Sequence, residues 1–260
     1  MKKLLPFIVL SSVSIYADAV KLTDVEAKYN ATAKVEASKA LKQHIGLGFA
    51  NTTGNTDTLN FSFEYDFTYT TVGINDQELK VAFDSSAYIS ENDDVRDNEE
   101  YKAWLRLEQV ISNDWFGYMS ARWLKNEFRN YDSKTGLGIG IGKDVYKDAT
   151  QELKLALGVS YNFEQYTDNT PDEDFAALTQ YLQYTNELND ISSLYLKLGA
   201  LENFEDFSND YELSMVAGVK FAIAQSLNLS IEAEIDYDAL PSDGYDKTDT
   251  KTLIKLGYDF

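Results

Sequence analysis

The 260-residue chain contains no cysteine, one histidine and three prolines. Without cysteine it forms no disulfide and no thiolate metal site. The single histidine, His44, excludes a zinc site built from several histidines, and we expect neither a metal nor a cofactor. Basic residues are also scarce, because 23 Lys and Arg stand against 43 Asp and Glu. The resulting net charge of −20 excludes a nucleic-acid partner.

Long hydrophobic runs are confined to the first residues of the chain. Lys2 and Lys3 precede an apolar run, and small residues lead to Ala17-Asp18-Ala19, a pattern typical of a secretory signal peptide. No later stretch reaches the roughly 18 uninterrupted apolar residues of a transmembrane helix. We therefore predict a signal peptide over residues 1–19. The Ala- and Lys-rich residues 20–42 lack a period of two and predict a partly helical, N-terminal periplasmic extension.

Aromatic residues are abundant, with 18 Tyr and 14 Phe, and they alternate with polar residues. From Leu59 to Tyr69 every odd residue is apolar or aromatic, while the even residues from Asn60 to Thr70 are polar or charged. This period of two predicts a β-strand with two opposite faces. The pattern recurs to the C-terminus and predicts twelve strands, over residues 44–50, 59–70, 78–90, 100–111, 115–128, 137–143, 152–164, 176–186, 193–203, 210–222, 227–238 and 249–260.

The connections between these strands are expected to alternate in length. Short links cover residues 72–77, 112–114, 145–151, 188–192 and 223–226, and mostly longer, more acidic loops cover 91–99, 129–136, 165–175, 204–209 and 239–248. Pro171 and Pro241 fall in these loops, so no proline interrupts a predicted strand. Strands of about 10–13 residues are longer than those of soluble sandwiches and suit a membrane.

The fold class that follows is all-β: a transmembrane antiparallel β-barrel of about twelve strands over residues 43–260. The aromatic faces then contact lipid and the polar faces line a lumen. With an even number of strands, both termini lie on the periplasmic side. The outer membrane is the expected location, with its lipid and lipopolysaccharide as surroundings.

Residues 46–58 read Gly-Leu-Gly-Phe-Ala-Asn-Thr-Thr-Gly-Asn-Thr-Asp-Thr. They resemble the first hairpin of the YdiY-like, salt-induced outer-membrane protein family, which often carries a Thr/Ser-Gly-Asn-Thr turn. The C-terminal Phe260, with Tyr258, Leu256 and Ile254 on one face, resembles the signal that the barrel-assembly machinery reads. These resemblances imply a barrel, its location and this machinery as a partner. The family has no known function, so they imply no catalytic residue.

Inward positions of the predicted barrel carry charges of both signs. The candidate lumen-lining residues are Glu64, Asp66, Arg106, Arg122, Lys154, Lys197, Lys220, Glu232, Glu234, Lys251 and Lys255. If these side chains pair across the lumen they fill it, and otherwise they line a narrow channel. The sequence therefore predicts either a structural, envelope-stress barrel or a narrow passive pore for small solutes.

An outer-membrane hydrolase of the lipase type is the alternative function. Such an enzyme uses a histidine base, and only His44 is available. His44 stands at the start of the first predicted strand, near the periplasmic edge, and is expected to be a surface or interface residue. We therefore expect no enzymatic activity and no catalytic residue.

Overall fold

The computed structural model describes residues 40–52, 58–93 and 95–260. The predicted signal peptide, most of the periplasmic extension and the Gly54-Asn55 turn lie outside these residues. Within them, no helix has the length and apolar character needed to cross a membrane. The described part of the chain is instead built from β-strands, with two short 3-10 turns between them.

Twelve strands close into one barrel within the described residues. They are β1 Ala40–Thr52, β2 Thr58–Val72, β3 Glu78–Asn92, β4 Val95–Ser112, β5 Trp115–Asn126, β6 Tyr131–Lys147, β7 Gln151–Tyr166, β8 Glu173–Asn189, β9 Ser192–Asn203, β10 Tyr211–Ala222, β11 Leu227–Asp238 and β12 Thr248–Asp259. Each strand pairs antiparallel with its sequence neighbours, and β1 also pairs with β12. The predicted fold class and strand number are confirmed.

The strands are tilted relative to the barrel axis. The registers between neighbouring strands advance by about 16 residues over one circuit of the barrel. For twelve strands this stagger corresponds to a tilt of about 40° and a backbone radius of about 12 Å. A barrel of this size encloses enough space for side chains from opposite walls to meet and still leave a cavity.

The outer face of the barrel is a continuous apolar band. On β6, Leu137, Ile139 and Ile141 are exposed, and on β7 exposed and buried residues alternate from Leu155 to Phe163. Exposed apolar rows that encircle a closed barrel bury their area only against lipid. Closure pairs the backbone groups that lipid cannot satisfy. The molecule is therefore a transmembrane barrel of the outer-membrane type.

The two rims of the barrel differ. The terminal rim carries the start of β1, the end of β12 and the connections over residues 73–77, 113–114, 148–150, 190–191 and 223–226. At the turn from β6 to β7, Asp148 Oδ1 accepts hydrogen bonds from the N–H groups of Thr150 at 2.8 Å and Gln151 at 2.7 Å. The Tyr146 hydroxyl and these N–H groups lower the pKa of Asp148 to about 2 and fix the turn.

The loop rim carries the connections that follow the odd-numbered strands. Its longest connections, over residues 167–172, 204–210 and 239–247, occur where long loops are predicted. The predicted loops over 91–99 and 129–136 are wrong, since most of these residues extend β3, β4 and β6. Arg96 explains why the prediction over residues 91–99 is wrong. It lies on β4 opposite Glu91 of β3, 3.5 Å from its carboxylate, so the acidic residues here belong to two paired strands.

β1 begins earlier than the sequence indicates. It starts at Ala40, inside the segment 20–42 that we expected to be a periplasmic extension. The reason is the length of β2, whose ladder with β1 continues until Ala40 faces Thr70. Leu41 is exposed on the outer face and continues the apolar row of β1.

Candidate functional site

The lumen contains a cavity of 590 Å³. Ten of the eleven candidate lumen residues line it: Glu64, Asp66, Arg106, Arg122, Lys197, Lys220, Glu232, Glu234, Lys251 and Lys255. The wall runs from His44 and Lys220, near the terminal rim, to Arg129 and Lys134, near the loop rim. The cavity therefore follows the length of the barrel.

The eleventh candidate, Lys154, lies in a part of the lumen that side chains fill. We define this packed half by five inward residues of β3 to β7: Lys80, Glu108, Phe116, Asp144 and Lys154. Lys154 is only 2% exposed, and its ammonium lies 3.3 Å from Glu108 and 3.9 Å from Asp144. The ammonium also lies 4.8 Å from the centre of the Phe116 ring. The cavity consequently lies beside the packed half.

Glycines on β6 make the packed half possible. Gly140 and Gly142 face the lumen, where the rings of Tyr118 and Phe116 lie directly over them. A Cβ atom at either glycine would overlap these rings. Because β6 presents a smooth inner surface, the two aromatic side chains of β5 lie flat against it. The glycines of β6 have no side chains that enter the lumen, and the aromatic rings of β5 fill the space over them.

An aromatic contact bounds the packed half on the channel side. Trp104 of β4 and Tyr181 of β8 meet across the lumen with ring centres 6.1 Å apart. Arg106 lies beneath them, 4.3 Å from the centre of the Tyr118 ring and with Nε 2.7 Å from Glu108. Of these five side chains, all but Glu108 line the cavity. They give the cavity a wall with both aromatic faces and positive charge.

Ion pairs and hydrogen bonds cross the lumen close to the loop rim. We call these contacts the mouth bridges. They are Lys102–Asp236 at 3.3 Å, Arg129–Asp249 at 3.0 Å, Tyr131–Asp238 at 3.0 Å, Lys134–Glu212 at 2.6 Å and Lys251–Glu100. Each joins the β4–β6 side of the barrel to the β10–β12 side. Since the partners belong to distant strands, the bridges narrow the lumen at the loop rim.

The cavity wall is nearly balanced in charge. Besides the ten predicted residues it contains charged residues that the sequence reasoning did not single out: Asp84, Glu100, Lys102, Arg129, Lys134, Glu212 and Asp236. Together the two sets give nine basic and eight acidic side chains. The chain as a whole carries a charge of −20. The excess of acidic residues therefore lies outside the cavity wall, and basic residues are enriched within it.

His44 is not a surface residue, contrary to expectation. It is 7% exposed and faces the lumen, in register with Asp66 on β2 and Asp259 on β12. Its Nδ1 lies 2.6 Å from Asp259 and its Nε2 lies 3.0 Å from Glu64. This environment is not visible in the sequence, because it forms only when β1 turns its even-numbered side chains inward and β12 pairs with it.

The family model described as "Protein of unknown function, DUF481" matches residues 45–260. The chain belongs to this family. The match begins one residue after His44 and covers nearly all of the barrel. It confirms the resemblance noted in the first hairpin. Since DUF481 has no assigned function, its description contributes no site residue.

One curated relative of this DUF481 chain is "Uncharacterized protein YdiY" from Escherichia coli (strain K12). It is 22% identical over 228 residues, which cover 85% of this chain and 84% of the relative.

Several solved structures are similar to this DUF481 barrel. The NanC porin has a TM-score of 0.47 and 10% identity, covering 85% of this chain and 99% of its own. An outer membrane channel from Pseudomonas putida F1 has a TM-score of 0.49 and 7% identity, covering 85% and 96%. The translocator domain of the autotransporter NalP from Neisseria meningitidis has a TM-score of 0.45 and 12% identity, covering 92% of both chains. Similarities this low do not decide what the DUF481 barrel does.

Proposed function

We propose that the barrel is a narrow passive pore for small polar solutes. The observation that carries this proposal is the cavity of 590 Å³, whose wall extends from His44 near one rim to Lys134 near the other. Ligand cavities of about 300–1,000 Å³ hold small molecules. The channel therefore suits solutes with the size of a simple sugar or an amino acid.

The composition of the wall favours polar solutes without a strict preference for one sign of charge. Nine basic and eight acidic side chains line the cavity, so the electrostatic barrier from net charge is small. Serine hydroxyls and the rings of Trp104, Tyr181 and Tyr195 lie between the charges. Such a wall offers a passing solute both hydrogen-bonding groups and apolar ring faces.

Recording from the purified barrel in a planar lipid bilayer tests the proposal. We expect discrete conductance steps when single molecules insert, because ions and water fill the cavity. Steps smaller than those of wide porins are expected, since the packed half and the mouth bridges occupy much of the lumen. Inserted protein that produces no steps at any voltage would contradict the proposed pore.

A structural role in the envelope is the second candidate. It is favoured by the mouth bridges, which tie opposite walls together and would stiffen the barrel. Under this alternative the ion pairs close the channel permanently, and the recording gives no steps. The same measurement therefore separates the two functions.

The hydrolase alternative is less well supported by the site. A lipase base needs one imidazole nitrogen on the hydroxyl of the nucleophile and the other on a carboxylate. Both ring nitrogens of His44 instead lie within hydrogen-bond distance of carboxylates, Asp259 and Glu64. This arrangement favours a histidine that holds charges together in the barrel wall.

The route to the membrane is part of the proposal. Residues 1–19 direct export as a signal peptide, and the assembly machinery reads the C-terminus. The Phe260 ring supports this role, since it is exposed and lies 6.1 Å from the Tyr258 ring on the outer face. The terminal rim then faces the periplasm, and the loop rim faces lipopolysaccharide.

A further inference from the structure

Three potential metal ligands meet where the first and last strands close the barrel. His44 on β1 is in register with Asp66 on β2, and Glu64 lies two residues away on the same inward face. One ligand atom from each of these side chains lies within 4.8 Å of the others. His44 and Asp66 are 7% and 5% exposed, and all three residues belong to the wall of the cavity.

The contacts of His44 leave Nε2 as the ring nitrogen for a metal ion. A carboxylate oxygen of Asp259 lies 2.6 Å from Nδ1, so Nδ1 carries a proton and donates it. Glu64 Oε1 lies 3.0 Å from Nε2, and a protonated Nε2 donates to this oxygen. A metal ion would take the place of the Nε2 proton, because a ligating imidazole is neutral and metal binding releases a proton. The carboxylate–histidine–metal arrangement of metalloproteins has the same order of groups.

Two glycines leave space for these side chains. Gly46 and Gly257 face each other in the β1–β12 ladder. A Cβ atom at Gly257 would overlap the His44 ring, and one at Gly46 would overlap the Glu64 carboxylate. The inner surface at this seam is therefore shaped around the imidazole and the carboxylate.

Surrounding polar groups hold the ligands in place. Asp259 accepts a hydrogen bond from Asn228 at 2.8 Å through the oxygen that His44 does not use. Lys255 donates to Glu64 Oε2 at 2.6 Å, which leaves Oε1 directed at His44. Outer contacts of this kind orient the first ligands of metal sites and raise their affinity.

We propose that His44, Glu64 and Asp66 bind a divalent transition-metal ion in the channel wall, with Asp259 as the residue that orients His44. One imidazole nitrogen and two carboxylate oxygens suit ions such as Zn²⁺. Ligands about 2.0–2.1 Å from a tetrahedral ion lie about 3.3 Å apart, close to the distance between Nε2 and Oε1. Three protein ligands leave a coordination position open towards the cavity.

The test uses the mature, refolded barrel in detergent, without an affinity tag that contains histidine. Zn²⁺ is titrated by calorimetry, and the imidazole signals of His44 are followed by NMR, since the chain has a single histidine. We expect one site per barrel and a shift of the His44 signals on saturation. Asp66→Asn should lower the affinity about 100-fold, since it removes a ligand.

Asp84→Asn is the matched control. Asp84 is on β3, in register with Asp66 of β2; it lines the cavity and is outside the ligand set. The Zn²⁺ affinity of this variant should stay within about two-fold of the wild type. If Asp66→Asn does not refold, Asp259→Asn replaces it, with an expected loss of about 10–100-fold. The proposal is overturned if Zn²⁺ leaves the His44 signals unchanged, or if the aspartate variant and its control lose affinity equally.

Discussion

Replacing Lys154 by methionine is expected to destabilise the barrel by about 3–5 kcal/mol, the usual cost of removing one partner from a buried ion pair. Lys154 is the positive charge between Glu108, 4% exposed, and Asp144. Methionine conserves the length of the side chain but leaves both carboxylates in the packed half with one cation fewer. Urea unfolding of the refolded barrel, followed by tryptophan fluorescence, measures the change in the free energy of unfolding.

Lys143→Met is the control for this variant. Lys143 lies on the outer face of β6, with its ammonium 5.4 Å from the centre of the Trp115 ring, so its loss should cost less than about 1 kcal/mol. In the double variant Lys154→Met/Asp144→Asn part of the stability should return, because one of the two carboxylates that face Lys154 is neutralised while Glu108 keeps its ion pair with Arg106. An Lys154→Met barrel as stable as the control would show that the packed half does not depend on this ion pair.

Ile139→Arg is expected to destabilise the barrel in lipid bilayers by about 2–4 kcal/mol. Ile139 is at the middle of β6, and its side chain is 57% exposed on the outer face. An arginine here enters the hydrocarbon near the midplane of the membrane, where a charge has no partner. Equilibrium unfolding in lipid vesicles measures the effect.

Val145→Arg provides the comparison on the same strand and the same face. Val145 is exposed near the terminal end of β6, where an arginine reaches the head groups and costs about 0–1 kcal/mol. The difference in the free energy of unfolding between the two variants measures how the cost of an arginine depends on its depth in the membrane. Equal and negligible effects at Ile139 and Val145 would mean that the outer face meets water.

The strands were predictable because alternation has a direct physical cause. On β7 every second side chain from Leu155 to Phe163 contacts lipid and those between them face the lumen, so the pattern appears in the sequence. Where both faces of a strand are polar, the sequence shows no alternation of apolar and polar residues. Residues 91–99 read as an acidic loop, but the partners of Arg96 lie within the β3–β4 pair, which only the register reveals.

The filling of the lumen could not be predicted from single strands. Trp104 and Tyr181 are inward aromatic residues that meet across the barrel, a contact that depends on its circumference and stagger. One signal was available: the glycines at every second position of β6 from Gly136 to Gly142 indicate that a neighbouring strand lays large side chains over that wall.

The environment of His44 depends on a contact between the two ends of the barrel. Asp259 follows His44 by 215 positions and meets it only because β12 pairs with β1. The single histidine excludes only a zinc site built from several histidines, and the carboxylates near His44 are brought to it by the closure of the barrel.

Solutes are expected to pass through the cavity beside the packed half, and a single cysteine on the cavity wall tests this passage. The chain has no cysteine, so Ser214→Cys places one thiol on the cavity wall, where Ser214 is exposed. A negatively charged thiosulfonate reagent should reduce the single-channel conductance of this variant by at least about half, because the attached group occupies the channel. Met215→Cys, one residue along on the lipid face of β10, should conduct as before. A Ser214→Cys barrel that is fully labelled, as shown by mass spectrometry, yet conducts unchanged current would show that ions do not pass through this cavity.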